Sequence, residues 1–287
     1  MMAHHTAFKR MILGLPPNAA DYQMVRLTAK LAELLQLNLV GMFAEDRSLI
    51  DMAGLPCVRE LRALGGGWQP IEIGRLTSEL EQAATTAHRL FTDIARHCGV
   101  ETSFRIEKGT AADAIGAMAT AEDIVVVIEP RHPIERVSQQ FTRLIDAAFR
   151  ASAAVMIVPC RVARLAGPIA AVAAAPNDPS IMAAMGIAET AHEKLIVVSQ
   201  PGKFDSDATL AAAVKLADVR SEFVRTRSGQ LDASLLADEL QPLNERLIVI
   251  SRGTLADAEA LMLASMRSTP VVIIEPPRSK NTGIHHQ

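Results

Sequence analysis

The chain has 287 residues, 49% of them hydrophobic, which suits about two domains, each with its own core. A net charge of −3 gives no general attraction to phosphate backbones or anionic lipid, and one tryptophan (Trp68) and one tyrosine (Tyr22) make no stacking platform for single-stranded nucleic acid. Nucleic acid and membrane are accordingly not expected partners.

Met11–Leu15 reads as a short buried strand, too brief for a signal-peptide core. Asn18 or Asp21 can cap the next helix, where Met24, Leu27, Leu31 and Leu34–Leu35 recur at helical spacing. Asn38–Ala44 is a second strand. Residues 45–74 then break the alternation, with Gly54-Leu-Pro56 and Gly65-Gly-Gly67 as turn signals. A long helix is predicted over about 76–98, its stripe formed by Leu76, Leu80, Ala84, Ala87, Leu90, Ile94 and Cys98, and Gly99 suits the position after its end. Thr102–Ile106, a helix over 111–120, Asp123–Ile128, one helix over 134–151 and Val155–Val158 complete five strands and four helices. In the last helix Ile134, Val137, Phe141, Leu144, Ile145 and Ala148 fall on one apolar face, which makes Phe141 a core residue.

Arg161–Gly167 is the linker. Strands are then predicted at 169–174, 195–198, 222–225, 247–250 and 271–274, with helices over 179–192, 206–217, 231–240 and 255–267. Two copies of βαβαβαβαβ imply an α/β fold of two tandem, five-stranded, doubly wound parallel-sheet domains with right-handed crossovers. The expected domains are 1–160 and 168–277, followed by a flexible tail at 278–287. Glu45–Glu101 is far longer than its counterpart Ser199–Ser221, so the first domain holds an insertion at about 45–74, read as a lid or dimer arm carrying Arg59, Glu60 and Trp68.

Ile169–Ala175, stopped by Pro176-Asn177-Asp178, falls far short of the ~20 residues that cross a bilayer. Cys57, Cys98 and Cys160 are isolated, as in a reducing compartment, and a cytoplasmic location is expected. His4-His5 and His285-His286 lack carboxylate or cysteine partners, so no metal site is expected. The sequence has no GxSxG, HExxH, GxxxxGK[ST] or zinc spacing, and no catalytic residue is assigned.

Two such units, each ending in a buried strand, polar loop, helix and PVxxV-type strand, resemble universal stress protein domains. The resemblance implies a nucleotide loop, G-x2-G-x9-G-[ST], running from the fourth strand into the last helix. Aligned from Asp123-Ile-Val-Val-Val, its glycine positions fall on Ile128, Arg131 and Phe141, with Thr142 at the hydroxyl position. The Asp expected after the first strand falls on Pro16. Side chains where phosphate would touch bare backbone disfavour ATP, so no cofactor is assigned. In the second half, Arg246 to Pro270 spans seven residues fewer than Asp123 to Ala154, leaving no room for the loop's second part. Ser251-Arg-Gly-Thr254 reads there either as a phosphate turn or as an ordinary helix cap.

Parallel sheets bind ligands at the carboxyl ends of their strands. The candidate ligand residues there are Arg131, His132, Thr142 and Arg143 in the first half and Asp178, Ser251, Arg252 and Thr254 in the second. Arg136, Glu129 and Glu135 share the first edge, so a salt-bridged surface is the competing reading, as a capped helix start is for Asn177-Asp178. The expected function is a non-catalytic universal-stress-like protein with a degenerate nucleotide site, acting in stress response or regulation through protein partners or self-association. The alternatives are a nucleotide or anion sensor and an ATP hydrolase or nucleotidyl transferase. The resemblance also implies an intramolecular pseudo-dimer, with Val155–Val158 and Val271–Ile274 facing each other.

Overall fold

The computed structural model describes residues 8–15, 22–45, 47–62, 67–151, 153–201, 219–227 and 231–275. The predicted cap at Asn18 or Asp21, Pro16, the helix over 206–217, both histidine pairs and the tail lie outside the described residues. The chain divides into two compact units, one formed by Ala7–Cys160 and the other by the residues from Arg161 onward.

In the first unit, β1 (Arg10–Leu15), β2 (Asn38–Glu45), β5 (Thr102–Lys108), β6 (Asp123–Ile128) and β7 (Ala154–Val158) form parallel pairs in the order β7-β6-β1-β2-β5. The inner strands are near-continuous apolar runs because helices cover both faces, and Ile124–Val127 and Met11–Leu13 are fully buried. β5 lies at an edge and alternates polar with apolar. Helices α1 (Tyr22–Leu35), α3 (Ile73–His97), α4 (Ala111–Met118) and α6 (Gln139–Arg150) supply the crossovers. Phe91 of α3 is completely buried beside Phe104 of β5, against Gly41 of β2. A Cβ at Gly41 would stand 2.9 Å from the Phe104 ring and 3.0 Å from that of Phe91, so glycine is what lets α3 seat there. Gly99, at φ +70°, ends α3 as the sequence predicts.

Two expectations change. Residues 45–74 hold regular structure: α2 (Arg47–Ala53) and an antiparallel hairpin of β3 (Arg59–Arg62) and β4 (Gly67–Pro70). The single helix over 134–151 is two helices, α5 (Pro133–Arg136) and α6, because the Ser138 side chain accepts from the Phe141 N–H and starts a new helix. The predicted apolar face is broken with it. Ile134 and Val137 are 82% and 81% exposed, and Phe141 is only half-buried rather than core.

The second unit repeats the order. β8 (Ile169–Ala173), β9 (Leu195–Ser199), β10 (Ser221–Arg225), β11 (Leu247–Ser251) and β12 (Val271–Ile274) pair in parallel as β12-β11-β8-β9-β10. Its described helices are α7 (Pro179–Ala191), α8 (Ala233–Leu240), a 3-10 turn at Gln241–Leu243 and α9 (Asp257–Arg267).

Each unit clamps the amino-terminal end of its fourth strand with an ion pair to a buried carboxylate. Arg10 Nε and Nη2 reach the two carboxylate oxygens of Asp123 at 2.7 and 2.8 Å, while the Thr120 N–H and O–H also donate to Asp123. In the second unit Arg267 Nε and Nη2 meet the buried Glu245 carboxylate at 2.8 and 3.1 Å, and Arg267 also donates to the Ala237 and Leu240 carbonyls at the end of α8. Burial alone would push the Asp123 carboxyl up, but the Arg10 and Thr120 bonds outweigh it and hold the carboxyl below its ordinary value. Asp123→Asn is expected to cost about 3 kcal/mol near neutral pH, read from urea unfolding. The contribution of the carboxylate is intact above the ordinary value of 3.8 and is lost as pH falls through the lower folded value. The stability gap between the variant and the native protein should therefore close in acid; a gap independent of pH would contradict the assignment.

Candidate functional site

The first strand of each unit has its neighbours' connections running to opposite sides, so the crevice for a ligand lies between β1 and β6 in one unit and between β8 and β11 in the other. In the first unit the loop after β6 is closed by its own charges. Glu129, buried, pairs with Arg136 Nη1 at 3.0 Å and accepts from the Cys160 N–H at 3.4 Å. Arg136 also donates through Nε to the Pro130 carbonyl at 2.9 Å, and its Nη2 lies 3.5 Å from the Cys160 Sγ. The guanidinium therefore ties the end of α5 to Glu129 and Pro130 at the start of the loop and to Cys160, two residues past β7.

The four predicted ligands of this unit have different partners. Arg131 is exposed and donates to Gln23 Oε1 at the start of α1, so it links the loop after β6 to that helix. His132 precedes α5 and its side chain makes no capping bond. Thr142 donates to the Ser138 carbonyl within its own helix. Arg143 acts on Asp113, the first-turn acid of α4. The Asp113 carboxyl is held below its ordinary value chiefly by bonds from the Thr110 side chain and backbone, with Arg143 adding a smaller attraction.

In the second unit Asp178 and Ser251 do come together. Asp178 is buried at the start of α7, where its Oδ1 accepts from the Ser180 N–H at 2.9 Å and from the Ser251 hydroxyl. Its Oδ2 accepts from the Ala174 N–H at 2.9 Å. Ser180 in turn donates to the Val172 carbonyl, so the ends of β8 and β11 are tied through one carboxylate. The Asp178 side chain thus fills the helix amino terminus that a phosphate would use. Asp178 caps α7 as the sequence allows, but neither Ser251 nor Thr254 caps α9. That helix starts at Asp257 with Ala256 as its N-cap, whose N–H donates to Glu259, while the Ser251 hydroxyl donates to Asp178. Asp257 and Glu259 also make the first turn of α9 acidic, which opposes an anion there.

Arg252 pairs with Glu275, just past β12. Glu129 and Arg252 occupy equivalent places: each directly follows the fourth strand of its unit, and each N–H donates at 2.8 Å to the final carbonyl of the fifth strand, Val158 or Ile274. Both are ion-paired, with opposite sign. Glu129, Cys160 and Glu275 were missed as site residues from sequence, although Ile-Glu-Pro recurs at 128–130 and 274–276 and could have flagged both glutamates. Among the described residues, no group of three or more His, Cys, Asp or Glu stands in position to hold a metal ion.

No family model matches the chain, and no curated protein matches its sequence. Solved structures do match in fold. A universal stress protein from Archaeoglobus fulgidus is 12% identical at a TM-score of 0.60, over 92% of this chain and 96% of that one. A functionally unknown protein from Pseudomonas aeruginosa PAO1 is 15% identical at 0.52, over 94% and 93%. A chain described as a universal stress protein from Pseudomonas aeruginosa UCBPP-PA14 is 15% identical at 0.50, over 94% of each. The fold is that of the universal stress proteins.

Removal of the Ser251 hydroxyl leaves Asp178 two of its three partners, whereas removal of Asp178 strands all three. Ser251→Ala is expected to lose about 1–2 kcal/mol and Asp178→Ala at least about 3 kcal/mol in chemical unfolding. Equal losses in the two variants would show that the Ser251 bond is the whole of the tie.

Proposed function

Starting from the universal stress fold, we propose that this chain is a non-catalytic regulatory protein whose nucleotide-type crevices are occupied by its own side chains. It works through protein contacts in a stress or regulatory setting. The observation that carries this reading is the pair of equivalent ion pairs, Glu129–Arg136 and Arg252–Glu275, at the place where each fourth strand opens into its loop. Both pairs are partly buried, and charges engaged in this way must be separated before a phosphate can use the same loops. The Asp178 carboxylate adds repulsion in the second unit, because a polyanion would approach a buried negative charge.

Supporting a cytoplasmic setting, Cys57, Cys98 and Cys160 are all free thiols. Among the described residues no helix is long and apolar enough to cross a membrane.

One observation favours a second reading, an anion or nucleotide sensor in the first unit. Arg131 is exposed and reaches from the loop after β6 to the start of α1. Thermal melting with ATP, AMP, cyclic nucleotides and inorganic phosphate separates the two. A specific ligand at 100 times its dissociation constant would add about 2.7 kcal/mol of stability. The expected outcome is no shift with any of them. A shift that Arg131→Ala removes would establish the sensor in its place, and release of ADP or AMP from ATP by the clean protein would establish an enzyme.

A further inference from the structure

The insertion of the first unit is fixed on one side and bare on the other. Leu61 and Trp68 stand directly opposite each other in the β3–β4 hairpin, so both project from the same face, and they are 62% and 66% exposed. Glu60, on the reverse face, pairs with Arg75 of α3, which also pairs with Glu79. That anchor holds the hairpin with its Leu–Trp face outward. At its base Leu55 accepts from the Val58 N–H, and Ile73 lies beside Gly54, so exposed Met52, Leu55 and Ile73 enlarge the apolar surface of the insertion.

We infer that this face joins two copies of the chain about a twofold axis. Three observations select a second copy as the occupant. The exposed fractions of these five side chains amount to roughly 500 Å² per copy, so a symmetric contact that takes in all five would bury about 1,000 Å², the lower bound for a specific interface. The charges are self-complementary. Arg59 shares the face of Leu61, Glu72 follows two residues after its partner Pro70, both are exposed, and neither is ion-paired among the described residues. A twofold sets the Arg59 of each copy against the Glu72 of the other. Finally, the chain has one such insertion, since Ser199–Ser221 is too short to hold another, so the contact closes at two copies instead of propagating. The pairing also covers a two-stranded sheet that is marginal when isolated in water. This inference stands whether or not either crevice binds a nucleotide.

Trp68 is the only tryptophan, so its emission reports on this face alone. The full chain should be followed by sedimentation and tryptophan emission from about 1 μM to about 500 μM, a range suited to a weak dimer. Mass is expected to double while the emission shifts to the blue over the same concentrations. Leu61→Lys should weaken association at least about tenfold with circular dichroism unchanged, as expected for loss of a central apolar contact. Arg59→Glu and Glu72→Arg should each weaken it, and the double reversal should restore it. A monomer at every concentration overturns the inference. So does a doubled mass with unchanged emission, a double reversal that fails to restore association, or a blue shift that appears only when anionic phospholipid vesicles are added to monomer.

Discussion

A carboxylate at the end of a buried strand has left water and must find a cation or several donors within a few ångströms. Here that requirement falls on Asp123, Glu129, Asp178 and Glu245, all buried at the rims of their sheets. Each is answered from a different part of the chain: Arg10 from the first strand, Arg136 from the short helix α5, Ser251 from the fourth strand and Arg267 from the last helix. Apolar packing builds the sheets, but nothing in an apolar strand fixes how its ends meet the loops. The paired charges do, and they set which loop residues remain available to anything outside the protein.

The two units solve the same local problem with inverted signs. After β6 the residue at this place is an acid that draws an arginine back from α5; after β11 it is an arginine met by an acid beyond β12. Sequence likeness between such loops is low even where the hydrogen bond to the neighbouring strand is the same in both. Backbone geometry persists because it belongs to the sheet. Side-chain identity is free to change as long as the charge is neutralised.

The strands were legible from sequence because a strand covered on both faces is a continuous apolar run, as in Ile124–Val127 and Leu247–Ile250. The break between α5 and α6 was not, since Ile134, Val137 and Phe141 keep helical spacing straight through a Ser138 that turns out to be a cap. The site was hidden for a different reason. Asp178 and Ser251 are 73 residues apart, and Arg10 and Asp123 are 113 apart, so no local spacing joins them. Of the candidates, Thr142, chosen by alignment to a phosphate loop, donates within its own helix, and Arg143, chosen as a basic group at the strand ends, acts on Asp113 of α4.

The central place of β1 has a consequence for how the first unit comes into being. β1 is made first, yet one of its two neighbours is β6, more than a hundred residues later. Until that strand leaves the ribosome, β1 can pair only with β2, and one edge of an apolar strand stays open. The unit is thus dominated by long-range pairings, which slows folding, and its nascent form is most exposed to wrong partners in the interval before β6 is synthesised. The second unit runs the same course, with β8 waiting for β11. A chain made this way acquires its stability in two late steps, each begun when a fourth strand arrives to cover the open edge of a central strand.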